Sequence, residues 1–138
     1  MTNNFNTYSE IVQYSLYDVI QKILTMVINR EISDYCIYIT FYKSHEENLF
    51  PSECFEDDEV TIVLENRFWN LKVGEDGFEV DIEIKKRKEN IYISYDSILI
   101  FSDQNSNFII DFRPLYEKVE EENLKQNVIF VEIPSSKD

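Results

Sequence analysis

Alanine is absent from this 138-residue chain, and only two glycines, three prolines, two cysteines and one histidine occur in it. The scarcity of histidine and cysteine removes most metal and nucleophile chemistry. Cys36, His45 and Cys54 have no recognised finger spacing and lack the fourth ligand of a structural zinc site. A Cys–His nucleophile would have to centre on His45, while Cys36 reads as a buried strand residue. Both glycines fall within Gly74-Glu75-Asp76-Gly77, which leaves none for a phosphate-cradling loop. No cofactor, metal or catalytic residue is expected, and an enzyme is disfavoured. Met1-Thr2-Asn3-Asn4-Phe5-Asn6 lacks the basic and apolar regions of an export signal, so reduced thiols and a cytoplasmic location are expected. No apolar run approaches a membrane span. Basic residues are few, 13 against 27 acidic, for a formal charge of -14. Such a charge repels phosphate backbones and anionic membrane surfaces, so neither nucleic acid nor membrane is an expected partner.

Hydrophobic residues make up 43% of the chain and aromatics 14%, enough for one domain with a sizeable core. Between 9 and 29, Ile11, Val12, Leu16, Val19, Ile20, Ile23, Leu24, Val27 and Ile28 recur at three- and four-residue steps, with Ser9 as N-cap. That stripe is broader than one sheet face requires. Either the helix docks wholly on its own domain, or part of the stripe pairs with a second subunit. From Tyr35 the period changes to two. Strands are predicted over 36–42, 60–64, 68–73, 78–84, 91–93, 98–101 and 108–112. The acidic segment 44–58 reads as a loop. Gly74 and Gly77 mark a hairpin, where glycine tolerates positive φ. Glu79, Asp81 and Glu83 read as the wet face of their strand. One helix followed by about seven short strands predicts an α+β fold, mainly β: an open antiparallel barrel or sandwich.

Two features point to binding. Alternation puts Trp69, Leu71 and Val73 on a core face and Phe68 on the opposite, polar face. Phe68 would then line an exposed apolar groove, unless the 44–58 loop covers it. Lys85-Lys86-Arg87-Lys88 is the one basic cluster, either a solvated turn or a contact for an acidic peptide. Beyond Arg113-Pro114 the chain becomes charged through 117–126, and Val128-Ile129-Phe130-Val131-Glu132-Ile133 follows. That apolar segment is either an edge strand or a docking peptide. A domain over 1–113 and a tail over 114–138 are expected.

Several of these segments together resemble the stringent starvation protein B (SspB) family of the alphaproteobacterial type. Tyr38-Ile39-Thr40-Phe41 is similar to a family strand, and Thr61-Ile62-Val63-Leu64 with Phe68-Trp69-Asn70-Leu71-Lys72-Val73 to its signature. Phe78-Glu79-Val80 fits a Phe-x-Val, and Phe101, Asp103, Phe108 and Phe112 fit the spacing of the closing motif. Gln104 and Ile109 replace the Pro and Gly of that motif. The resemblance implies a non-enzymatic adaptor that binds ssrA-tagged polypeptides and tethers them to the ClpX N-terminal domain of the ClpXP protease. It implies a peptide-binding groove, placed by strand alternation at Tyr38, Thr40, Phe68, Trp69, Phe78, Phe101 and Phe108. It implies ClpX docking through Val128, Ile129, Phe130 and Val131, and a homodimer through Leu16, Ile20, Ile23 and Val27. The alternative is a peptide- or protein-binding β-domain unrelated to proteolysis.

Overall fold

The computed structural model describes residues 7–116 and, further on, Ile129, Val131 and Ile133. One helix, α1 (Thr7–Ile28), precedes seven strands. These are β1 (Ile37–Tyr42), β2 (Glu59–Leu64), β3 (Phe68–Val73), β4 (Gly77–Ile84), β5 (Arg87–Ser94), β6 (Ile98–Asp103) and β7 (Phe108–Asp111). They form two antiparallel sheets, ordered β2-β1-β6-β7 and β3-β4-β5. The expected helix-plus-antiparallel architecture is the one observed.

Side-chain alternation builds the core from both sheets. Ile39 pairs with Ile62 on one side and Phe101 on the other, and Phe101 pairs with Ile110, so one buried row crosses four strands. Phe78, Val80, Ile82 and Ile84 of β4, with Ile91 and Ile93 of β5, supply the facing layer. On the wet face of the second sheet Asp81 accepts from Asn70 and Asn90, both at 2.7 Å, in a polar lattice that includes Glu79.

Helix α1 buries Gln13, Tyr17, Ile20, Leu24 and Val27, a stripe at three- and four-residue steps. Tyr17 stacks on Tyr95 at 5.8 Å and donates to Asp96 Oδ1 at 3.0 Å. The helix closes in a Schellman motif: the N–H of Glu31 reaches the carbonyl of Met26 and that of Arg30 the carbonyl of Val27, with Arg30 left-handed at φ 60°. By length and mean hydropathy α1 could cross a membrane, which corrects the expectation that no run approaches a span. Its buried stripe and the Asp18–Lys22 ion pair on the opposite side are features of a helix packed on a domain.

Three expectations about local structure change. In β3, Phe68, Leu71 and Val73 pack against the core and Trp69 is 39% exposed, the reverse of the predicted phase for the two aromatics. The register with β4 shifts between Trp69 and Lys72, and Asn70 sits at φ 57°, so a bulge changes the phase partway along the strand. Neither glycine has positive φ. Gly77 is required for space instead: a Cβ there would lie 2.4 Å from the Ile93 carbonyl and 2.5 Å from the Tyr92 hydroxyl. Cys36 lies just before β1, half-buried rather than in the core strand.

Candidate functional site

Among the described residues strand β2 pairs only with β1, which leaves its other backbone edge without a partner strand there. Val60, Thr61, Ile62 and Val63 all line one cleft of about 560 Å³. Consecutive residues point to opposite faces of a strand, so a cleft touched by all four runs along the strand's edge. Its other wall is Ile82, Glu83 and Ile84 of β4. Strand β3 begins at Phe68, opposite Ile82, so Glu83 and Ile84 extend past it. The cleft thus lies between the open edge of one sheet and an uncovered stretch of the other.

The 44–58 segment supplies aromatic residues to this cleft. Phe50 packs edge-on to Phe41 at 5.2 Å and beside Phe55 at 5.4 Å, and both Phe50 and Phe55 line the cleft. Polar fastenings hold the segment in place. The Lys43 ammonium donates to the carbonyls of Ser52 and Phe55. Asp58 accepts from the backbone and hydroxyl of Ser44. Asn48 bonds Tyr42, Ser94 and Ser97, while Leu49 bridges to Tyr92 of β5.

The rim carries Arg67, Lys85 and Lys86 against a single carboxylate, Glu83, and Arg67 pairs with Glu83 at 2.5 Å. Lys85 and Lys86 form the two-residue turn between β4 and β5, both with positive φ. Volume, apolar floor and convergent polar groups are those of a binding cleft, and the open strand edge adds main-chain hydrogen-bonding capacity. A second cleft of about 540 Å³, lined by Tyr14, Asp18, Glu75, Asp76 and Asp96 among others, is polar and rich in carboxylates.

The seven residues expected to form a groove do not converge. Phe78 and Phe101 are fully buried, because their strand positions face the core. Tyr38 and Thr40 stand on the outer face of the four-stranded sheet, beside Val63 and Thr61 respectively. Phe68 packs near Tyr35, at 6.3 Å, and not under the 44–58 loop. Trp69 carries the Lys88 ammonium 4.5 Å above its ring. Phe108 is partly exposed at the edge strand β7. None of the seven lines the 560 Å³ cleft. The sequence signals that would have found it were Phe50 and Phe55 within an acidic loop, and paired lysines in a two-residue turn.

Of the expected dimer residues, Ile20 and Val27 are buried in the protomer's own core, and Leu16 and Ile23 are half-buried. The stripe with exposed surface is Val12, Leu16, Val19, Ile23 and Met26, displaced around the helix from the buried one. In the tail, Val128, Phe130 and the stretch 117–126 lie outside the described residues. Ile129, Val131 and Ile133 belong to no strand and are 85%, 84% and 90% exposed.

His45 accepts a hydrogen bond at Nδ1 from the Glu47 backbone. Desolvation, then the nearby Glu65 and Asp103 carboxylates, push the Cys36 thiol above its ordinary pKa. Hydrogen bonds from Asn90 and Asn70 hold Asp81 below the usual carboxylate range.

Comparison with known proteins gives one family. The model described as SspB, stringent starvation protein B, matches residues 10–132. No curated protein matches the chain.

Proposed function

The chain belongs to the stringent starvation protein B family, and from that premise we propose that it is a non-enzymatic adaptor for ssrA-tagged polypeptides. The family's role is that of an adaptor in proteolysis. In this reading the tag lies extended in the cleft between β2 and β4. Main-chain hydrogen bonds to the open β2 edge would give affinity, and apolar side chains would settle over Ile62, Ile82 and Phe50. The single observation that carries it is that four consecutive β2 residues line the cleft at a strand edge with no partner strand among the described residues.

The second half of the proposal is a tether. The described fold runs on through Leu115, which packs against the core, and in this reading the apolar segment near the C-terminus docks on the ClpX N-terminal domain. Ile129, Val131 and Ile133 support a docking peptide over an edge strand, since they belong to no strand and present exposed apolar side chains that a partner would bury. As a random coil, about a dozen residues would reach on the order of 20 Å. Pairing of two protomers through the exposed α1 stripe would present two tails and add avidity. A cytoplasmic location belongs to the same reading.

The test is fluorescence polarisation with a peptide bearing the host's own ssrA tag. Binding at micromolar Kd or tighter, about -8 kcal/mol, is expected. Val63→Asp in the cleft should weaken it at least tenfold, and Trp69→Ala on the far sheet should leave it unchanged. Deletion of residues 128–138 should keep tag binding and abolish delivery to ClpX. A tag that does not bind, or that is indifferent to Val63→Asp, would sink the proposal.

A further inference from the structure

The four cations of the 85–88 run have different employments. Lys88 sits over Trp69 and Arg87 lies 4.0 Å from Glu89, both outside the cleft. Lys85 and Lys86 line the cleft, and neither forms a salt bridge among the described residues. The one carboxylate in the lining, Glu83, is already paired with Arg67. A chain of net charge -14 therefore keeps, at an apolar cleft, two ammonium groups with no ion-pair partner among the described residues.

The backbone under them is the second observation. Ile84 pairs with Arg87, so Lys85 and Lys86 are the entire turn, at φ 51° and 68°. Two positive φ values in a two-residue hairpin are the type I′ signature, which favours Asn-Gly. A side chain with a Cβ is disfavoured in this conformation. Lysine at both positions gives up conformational stability that Asn-Gly would supply, and residues held in such conformations gather at functional sites.

We propose that Lys85 and Lys86 are specificity-determining residues that select an extended peptide carrying acidic side chains at the position over the hairpin tip. The inference rests on the cleft being the tag-binding site. Two separate ammonium groups offer two point charges, each able to meet its own side-chain carboxylate. The predicted ligand alternates apolar residues, which fill the floor, with one or two Asp or Glu that reach the rim.

The probe is the host tag peptide, fluorescein-labelled and C-terminally amidated, with each residue replaced in turn by Glu, Gln and Lys. It is measured by polarisation against the wild-type chain and against Lys85→Asn/Lys86→Gly. That double variant removes both charges and suits the turn, so its thermal midpoint should equal or exceed the wild type's. For the wild type, Glu should bind about 3- to 10-fold more tightly than Lys at one or two positions, given the modest strength of exposed ion pairs. The preference should shrink in 0.5 M salt as screening shortens to a few ångströms. In the double variant it should fall to within twofold, with the Glu, Gln and Lys peptides binding alike at those positions. A preference that survives in the double variant, or that appears at no position, overturns the inference and leaves the tag site standing. A fivefold gain for the free acid over the amide assigns the lysines to the terminal carboxylate and also overturns it. If no peptide of the series binds, the tag reading and this inference fall together.

Discussion

Cys36 illustrates how position sets a residue's chemistry. It lies half-buried at the entry to β1, near Glu65 and Asp103, and its backbone N–H donates to Asp103 Oδ1. Desolvation and the two carboxylates disfavour the thiolate, so the thiol is raised from its ordinary pKa. A raised pKa means less thiolate at any given pH. At pH 8, iodoacetamide should therefore modify Cys36 more slowly than a free peptide cysteine, and the rate should still be rising at pH 9. Mass spectrometry of the two cysteine peptides over time measures this, and a peptide-like rate at Cys36 would contradict it. The same logic with opposite sign applies to Asp81, whose pKa is depressed by Asn90 and Asn70. Its contribution to stability is present above the unfolded carboxylate pKa, about 3.9, and is lost as pH falls through the lower folded value.

At the scale of elements, the bulge in β3 decides which aromatic is wet. Asn70 at φ 57° donates to Asp81, and asparagine is among the residues that enter the left-handed region most readily. Asn70→Val should lower stability by about 1–2 kcal/mol in urea denaturation, while Asn70→Gly should cost less than half as much. Equal losses would mean that the hydrogen bond to Asp81, not the backbone, holds the bulge. Period-two alternation correctly located β3 but put its aromatics on the wrong faces, because one extra residue in a strand inverts every later position. Nothing in Phe68-Trp69-Asn70-Leu71 announces that insertion; only the pairing with β4 makes it visible. The helix and β4 were legible because their buried positions keep an unbroken period.

At the scale of the whole molecule, the exposed side of the α1 stripe and the outer edge of β2 are among the surfaces that the described residues leave uncovered. If the stripe forms a dimer, Val12→Glu with Met26→Glu should raise the dimer dissociation constant at least tenfold, about 1.4 kcal/mol, without lowering the thermal midpoint of the monomer. Sedimentation equilibrium reads the first and calorimetry the second. Ile20→Glu should instead unfold the protomer, since Ile20 is in its core. A double variant that stays as associated as the wild type would move the interface elsewhere.

The sequence by itself determined the helix, the seven strands, the acidic charge, the family and the apolar segment near the C-terminus. Each of these is written in local periodicity, composition or motif, which neighbouring residues carry without reference to the rest of the chain. Tertiary structure decided the cleft. Its walls come from β2, from the 44–58 segment and from the end of β4 with its turn, pieces brought together only when two sheets meet and one strand starts late. It also decided which half of the helix stripe is spent, because Ile20 and Ile23 are equally apolar in sequence and differ only in what packs against them.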